Sequence, residues 1–460
     1  MIFSLLISLI ITSILCILVI LLFIYNQKWL LRVNRTKYIK DAFYDKLVYL
    51  EIKLPREVSK SPQVMEFVFD AIYQVAGTQN LHFDNWFTHF LSNIEKYRAF
   101  MSDRYTKGMV RTWMSLEVES REGQLHFYIV TPKRFQDILS SYIYSQYTGI
   151  EISEAEDYTN KIRPEYHGGE YDTYTTFFTL KGKDYLPIKT YVDYGLGKDP
   201  KEEYKVDPLV PLLESFASVG KNEHIWYQVT ARAAMDIGDS WKKAGEARIK
   251  EILTKKVKND KGEEKEEKVS MVSLSIQEKQ EVESIQKNIQ KLGFDCTIKV
   301  IYSAKQGSYK AETEQIVRNA MKSFSNTGYN EFKGNNQNST QAWHDYEDKR
   351  VQRRKRGVWF YLFVMRDGLY YHELDIDGKP FKAMYERFKK FGFVQGKEYF
   401  FSDFKQYFTD AGKLEETGAY FVLNAEELAT VFHFPGKVLG APNFDRINSV
   451  KSDAPNNLPV

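Results

Sequence analysis

The chain has 460 residues, 43% hydrophobic and 27% charged, which at roughly 150 residues per domain implies about three domains or two large ones and excludes a polytopic transporter. Lys and Arg number 64 against 61 Asp and Glu, a net +3 that excludes both a globally basic nucleic-acid binder and an acidic disordered tail. The apolar content is uneven: mean hydropathy is −0.45, yet residues 2–25 contain no charged side chain.

Residues 1–25 therefore read as a transmembrane anchor. A helix of this length spans a hydrocarbon core of about 30 Å. Its hydroxyls, on Ser4, Ser8, Thr12 and Ser13, can bond back to their own helix. A cleaved signal peptide would need a positive n-region and small residues at a cleavage site, and neither is present. Lys28, Arg32, Arg35, Lys37 and Lys40 follow the span. They predict an N-terminus outside, a soluble part in the cytoplasm and residence in the cytoplasmic membrane. Two cysteines, Cys16 and Cys296, give no disulfide framework.

From Leu47 the run VYLEIKLP predicts a strand, and Ser61-Pro62 opens a helix. Val64, Phe67, Val68, Ala71, Ile72 and Val75 recur at the helical period as its core stripe. An inserted helix is expected at 84–101. Runs 112–119 and 124–131, separated by Ser120-Arg121-Glu122-Gly123, predict a hairpin. Thr131-Pro132 starts a helix carrying Phe135, Ile138, Leu139, Tyr142 and Ile143 on one face, and 150–158 reads as a strand. Strand, helix, strand, strand, helix, strand is the ferredoxin-like βαββαβ order, so an α+β module with an antiparallel sheet is expected over 26–160.

A second α+β module is expected over 161–305. It has strands near 173–181, 186–193 and 224–234, and a helix after Asp207-Pro208 bearing Val210, Leu213, Phe216 and Ala217. Helices follow at 240–253 and through Val282, Ile285, Ile289 and Leu292, then a strand at FDCTIKVIYSA. Between those helices, residues 255–268 alternate lysines with acids and predict an exposed charged loop. Residues 306–460 read as a looser C-terminal α+β region. Its expected elements are a helix at 311–324, strands near 358–366 and 368–375, helices near 380–390 and 425–433, and a linker-like tail.

Catalytic patterns are missing. A P-loop needs Gly-Lys-Ser/Thr, and the Gly-Lys pairs beginning at Gly182, Gly197, Gly220, Gly378, Gly396, Gly412 and Gly436 all lack the hydroxyl residue. No Gly-x-Ser-x-Gly, His-Glu-x-x-His or paired Cys-x-x-Cys occurs, so neither an enzyme nor a cofactor or metal site is expected. His433, in ATVFHFPG, has no second His at helical spacing and reads as a packed or surface helix residue rather than a ligand. Glu151, Glu154, Glu156 and Asp157 crowd a strand end and read as solvated edge charge rather than a cation site. Tyr142, Tyr144 and Tyr147 offer a contact surface beyond the core role of most aromatics. The densest charge is Lys349, Arg350, Arg353, Arg354, Lys355 and Arg356, six cations in eight positions. These residues suit nucleic-acid phosphate or anionic lipid, or act as a solvated guard beside an apolar strand.

Three blocks in order, YLEIKLPREVSKSPQVMEFVFDAIY, WMSLEVESREGQLHFYIVTP and YSQYTGIEISEAEDYT, resemble the region after the transmembrane segment of bacterial conjugation and type IV secretion ATPases. FASVGKNEHIWYQV, KLGFDCTIKVIY and FVLNAEELATVFHFPGKVLGAPNFDR are similar to that region's end. In the resembling proteins a nucleotide-binding motor follows, and no Walker residue is present here to carry over. The resemblance implies a non-enzymatic single-pass membrane subunit that docks a separate ATPase of a DNA or protein translocation system. The alternative expectation is a membrane-tethered nucleic-acid-binding protein that uses residues 349–356.

Overall fold

The computed structural model describes residues 13–18, 47–55, 61–76, 113–162, 170–196, 207–234, 241–258, 264–268, 273–325, 330–334, 421–436 and 446–447. The chain divides into two compact units, one of Met1–Leu47, Leu81–Arg111 and Tyr370–Glu415, the other of Val48–Asn80, Thr112–Leu369 and Glu416–Val460. In the first, residues 13–18 are helical. No helix among the described residues is long and apolar enough to cross a membrane. This overturns the transmembrane anchor expected over 1–25. The rest of 1–25 lies outside the described residues. The inserted helix expected at 84–101 and the elements expected between 358 and 390 lie outside them too.

The second unit is built on one ten-stranded sheet. Its strands are β1 (Leu47–Pro55), β2 (Trp113–Arg121), β3 (Gln124–Pro132), β4 (Glu151–Ala155), β5 (Tyr171–Leu180), β6 (Glu223–Ala233), β9 (Gly293–Lys305), β10 (Phe332–Gly334), β11 (Phe421–Asn424) and β12 (Arg446–Ile447). The order is β10-β5-β9-β6-β2-β3-β1-β12, with β4 also on β1 and β11 also on β9. The helices are α1 (Gln63–Ala76), α2 (Gln136–Gln146), α3 (Val210–Ala217), α4 (Trp241–Ile252), α5 (Ile276–Ile289), α6 (Ala311–Asn319) and α7 (Ala425–Val431).

The expected ferredoxin-like modules give way to this continuous sheet. Strands from 26–160 and from 161–305 are joined by nine register pairs between β2 and β6, from Trp113↔Arg232 to Arg121↔His224. The physical reason lies in burial. Every residue of β2 from Trp113 to Ser120 is buried, and β6 and β9 are buried nearly throughout. A strand covered on both faces belongs to a sheet interior, whereas a free-standing two-layer module would leave one face wet. β9 is long enough to carry two strands end to end on one edge: β5 pairs with residues 298–305 and β11 with residues 293–296.

Local sequence explains most elements. The β2–β3 turn places Glu122 at φ 52° and Gly123 at φ 87°, the two positive values that a two-residue hairpin of matching twist requires. α5 starts on a reciprocal capping box between Ser275 and Glu278. α1 is rotated from its expected stripe: Met65, Val68 and Phe69 are buried, and Phe67 is 53% exposed. Within the stretch expected as a loop, β7 (Thr254–Lys258) pairs antiparallel with β8 (Glu264–Lys268). Its register sets Lys255, Lys256 and Lys258 opposite Glu267, Glu266 and Glu264, a pattern that favours pairing. No strand forms at 186–193. Pro187 has no amide hydrogen, and the amides of Ile188 and Tyr191 are taken by the side chains of Glu427 and Thr430.

Two glycines set how closely α4 packs. A Cβ on Gly293 would lie 2.8 Å from the Trp241 indole, and one on Gly245 would lie 2.8 Å from Ile289 Cγ2. At Gly334 it would meet only an ordinary contact, 3.5 Å from Thr176. Denaturant unfolding should therefore show Gly293→Ala destabilised by about 1–3 kcal/mol, because a rigid ring must shift, and Gly334→Ala by less than about 0.5 kcal/mol.

Candidate functional site

The densest polar chemistry surrounds the fourteen residues from Phe421 to Phe434, which run from β11 through α7. The sequence starts the helix locally: Asn424 and Glu427 form a capping box, with Glu427 N donating to Asn424 Oδ1 at 2.9 Å and Asn424 N to Glu427 Oε2 at 2.8 Å. All seven residues of α7 are buried, including Glu426, Glu427 and Thr430. A short helix buried all round must find partners for each polar group inside the protein.

Each group has one. Glu426 accepts from Thr190 Oγ1 at 2.6 Å and meets Lys287 at 3.1 Å and Lys291 at 2.8 Å. Lys291 also pairs with Glu66 of α1, which accepts from Tyr191 OH at 2.6 Å. Burial alone would raise the Glu426 carboxyl, but the Lys291 ammonium outweighs it and holds the group below its ordinary value. Lys291 moves oppositely: burial would lower it, and the Glu426 and Glu66 carboxylates raise it. Asp70, on the same side of α1, is raised by burial and by Glu66.

His433 closes the segment. It is 1% exposed, its Nδ1 lies 2.8 Å from the Ala429 carbonyl oxygen, and its Nε2 lies 3.0 and 3.1 Å from the Asp207 carboxylate. The carbonyl can only accept, so Nδ1 donates to it, and Nε2 faces the Asp207 carboxylate. Asp207 also accepts from Leu209 N at 2.8 Å, ahead of α3. The pair resembles the orienting half of a hydrolase triad, but a general base needs one ring nitrogen facing a nucleophile, and here both are engaged. Of the packed and surface-helix alternatives, His433 takes the packed one, just past the end of α7, acting as a clamp between the last turn of α7 and the entry to α3.

A second polar layer lies across the sheet. In register, Tyr128, Glu117, Gln228, Lys299 and Phe177 form one row over β3, β2, β6, β9 and β5. Glu117 and Lys299 are both 0% exposed. Glu117 accepts from Ser115 Oγ at 2.5 Å, Tyr158 OH at 2.7 Å and Gln228 Nε2 at 3.0 Å. Lys299 Nζ lies 5.7 Å from the Phe177 ring centre. Flanking pairs are Arg232–Asp295 at 3.1 Å and Arg121–Glu119 at 2.7 Å. Tyr158 stacks on Tyr128 at 4.9 Å and meets Trp226 edge-on at 5.3 Å.

The other residues weighed in the sequence disperse. Glu154 is exposed and bonds Lys133 and Gln136, while Asp157 caps a short 3-10 turn through Thr159 N at 3.0 Å. No group of three His, Cys, Asp or Glu able to hold a metal occurs among the described residues. Tyr147 is buried against Phe434, Tyr142 packs on the core, and Tyr144 is 47% exposed with its OH accepting from Ile152 N. The cluster Lys349, Arg350, Arg353, Arg354, Lys355 and Arg356 lies outside the described residues. One pocket, between α1, α2 and the sheet at Ile72, Trp113, Ile138 and Phe294, measures about 30 Å³ and is apolar. Sequence reading missed Glu426, Glu427, Glu117 and Lys299. The Asn424-x-x-Glu427 spacing is a legible cap signal for one of them.

No family model matches the chain, and no curated protein matches it significantly. The comparisons therefore give no support to membership of the conjugation or type IV secretion proteins.

Asp207 supplies a test. Burial would raise its carboxyl, but the charge and hydrogen bond of His433 outweigh it and hold it below its usual 3.8. A depressed carboxyl contributes stability that is complete above its unfolded value and lost as pH falls through the folded one. His433→Phe should cost about 3 kcal/mol at pH 7, by leaving a buried carboxylate without its hydrogen-bonding partner. The gap between wild type and variant in thermal melts should narrow below about pH 4.

Proposed function

We propose that this chain is a non-enzymatic assembly protein that docks a separate ATPase of a DNA or protein translocation system. The observation that carries this reading is where the interior ionisable groups end. Glu66, Glu426, Lys291, Asp207 and His433 terminate on one another or on this chain's own backbone, fixing surfaces relative to each other. Reactive sites instead hold titratable groups aimed into a cleft toward a substrate. The missing P-loop supports a partner that supplies the nucleotide chemistry. The six cations of 349–356 support a second reading, phosphate contact with nucleic acid.

Affinity purification of the full-length protein from its native cells, followed by size-exclusion chromatography, separates the two. The first reading expects a P-loop ATPase to co-elute in fixed stoichiometry, and recovery of the chain alone overturns it. The second expects DNA binding that weakens steeply with salt and is lost when Arg353, Arg354 and Arg356 are changed to Ala. Absence of binding at low salt overturns that one.

A further inference from the structure

β6 and β9 lie side by side in the middle of the sheet, and their register sets Thr230 opposite Thr297 on the polar face. The two residues are 0% and 2% exposed, so bulk solvent does not serve them. Neither Thr230 Oγ1 nor Thr297 Oγ1 has a hydrogen-bond partner among the described residues. A buried hydroxyl without a partner is costly, and native interiors rarely keep two of them facing each other.

Strand geometry explains why they do not bond each other. The Lys305 amide donates to the Asn222 carbonyl at 3.0 Å, and the Ala234 amide to the Gly293 carbonyl at 2.9 Å. These bonds flank the pairing at its two ends and put the even-numbered residues of β6, Thr230 included, at its hydrogen-bonded positions. There opposed Cα atoms are about 5.5 Å apart, and the side chains stand farther from each other than at the alternate positions. Two O–H···O bonds of about 2.7–2.8 Å in series span that spacing. The pattern recurs at another even position, where His224 faces Ser303 and neither His224 Nδ1 nor Ser303 Oγ has a partner among the described residues. The spacing thus belongs to the position, not to one rotamer.

Ser115 of β2 continues the row beside Thr230. Its Oγ donates to Glu117 at 2.5 Å and can still accept. Ionisable residues flank the row on both sides, Glu117 and Lys299 in one neighbouring row, Arg232 and Asp295 in the other. Their formal charges cancel, which favours a neutral polar guest over an ion. We propose that the row Ser115, Thr230, Thr297 is a binding site for one buried structural water, which bridges Thr230 Oγ1 to Thr297 Oγ1 and donates to Ser115 Oγ. Three hydrogen bonds are the usual complement of a buried water. The site draws one hydroxyl from each of β2, β6 and β9, so it forms only in the register that also aligns Glu117 with Lys299.

Replacing threonine by valine keeps the shape and removes the hydroxyl, so the sign of its effect separates a bridged pair from a dry one. In a dry pair the change removes a desolvated hydroxyl, and the variant melts at or above the wild-type temperature. With the water in place, Thr230→Val and Thr297→Val each take a bond from it, and each should lower the Tm of the full-length protein by about 2–4 °C. The double variant should melt no lower than the less stable single one, because the water is lost only once. Magnetic relaxation dispersion of the solvent oxygen nuclei, which counts waters held inside a protein, should lose one long-lived water in each variant. A single variant at least as stable as wild type, additive losses in the double variant, or an unchanged dispersion amplitude overturns the site.

Discussion

A seven-residue helix cannot stand by itself, and α7 is buried on every side, so its position is set by partners alone. Those partners come from four stretches distant in sequence: Glu66 of α1 through Lys291, Ile188 to Tyr191 after β5, Asp207 before α3, and β9 through β11. Tyr227 of β6 adds a fifth tie, donating to the Val431 carbonyl at 3.0 Å. Because a buried polar group without a partner costs on the order of 1–3 kcal/mol, each contact constrains both ends. The helix thereby fixes how the surrounding segments meet.

The sheet shows the same economy on its polar face. Burying a glutamate and a lysine is unfavourable unless donors and acceptors are arranged around them. The row Tyr128, Glu117, Gln228, Lys299, Phe177 takes each residue from a different strand, so it exists only when five strands share one register. A slip of one residue would turn these charges onto the apolar face. The layer thus rewards a unique alignment, and this specificity is its clearest physical role.

Elements with a local cause were legible in sequence. The hairpin at Glu122-Gly123, the helix opened by Asp207-Pro208 and the long strand of FDCTIKVIYSA stand where residue pattern placed them. Failures came where a distant group overrode the local pattern. Residues 186–193 have strand composition, yet their amides are drawn to Glu427 and Thr430 more than 200 positions away. Phe67 fits an apolar stripe by spacing, but α1 presents Met65, Val68 and Phe69 to the core instead. The lysine and glutamate run at 255–268 has Val257 as its one apolar residue, and only register reveals that its charges alternate in complementary order.

By itself the sequence determined periodicity, caps and turns, because these depend on residues within one helical turn or one hairpin. It also determined that no P-loop is present, since that chemistry needs contiguous residues. Tertiary structure alone decided that two expected modules form one sheet, that Glu117 and Lys299 share a buried row, and that His433 meets Asp207 across 226 positions. Those facts depend on which surfaces exclude water together, and exclusion of water is a property of the assembled chain, not of any segment.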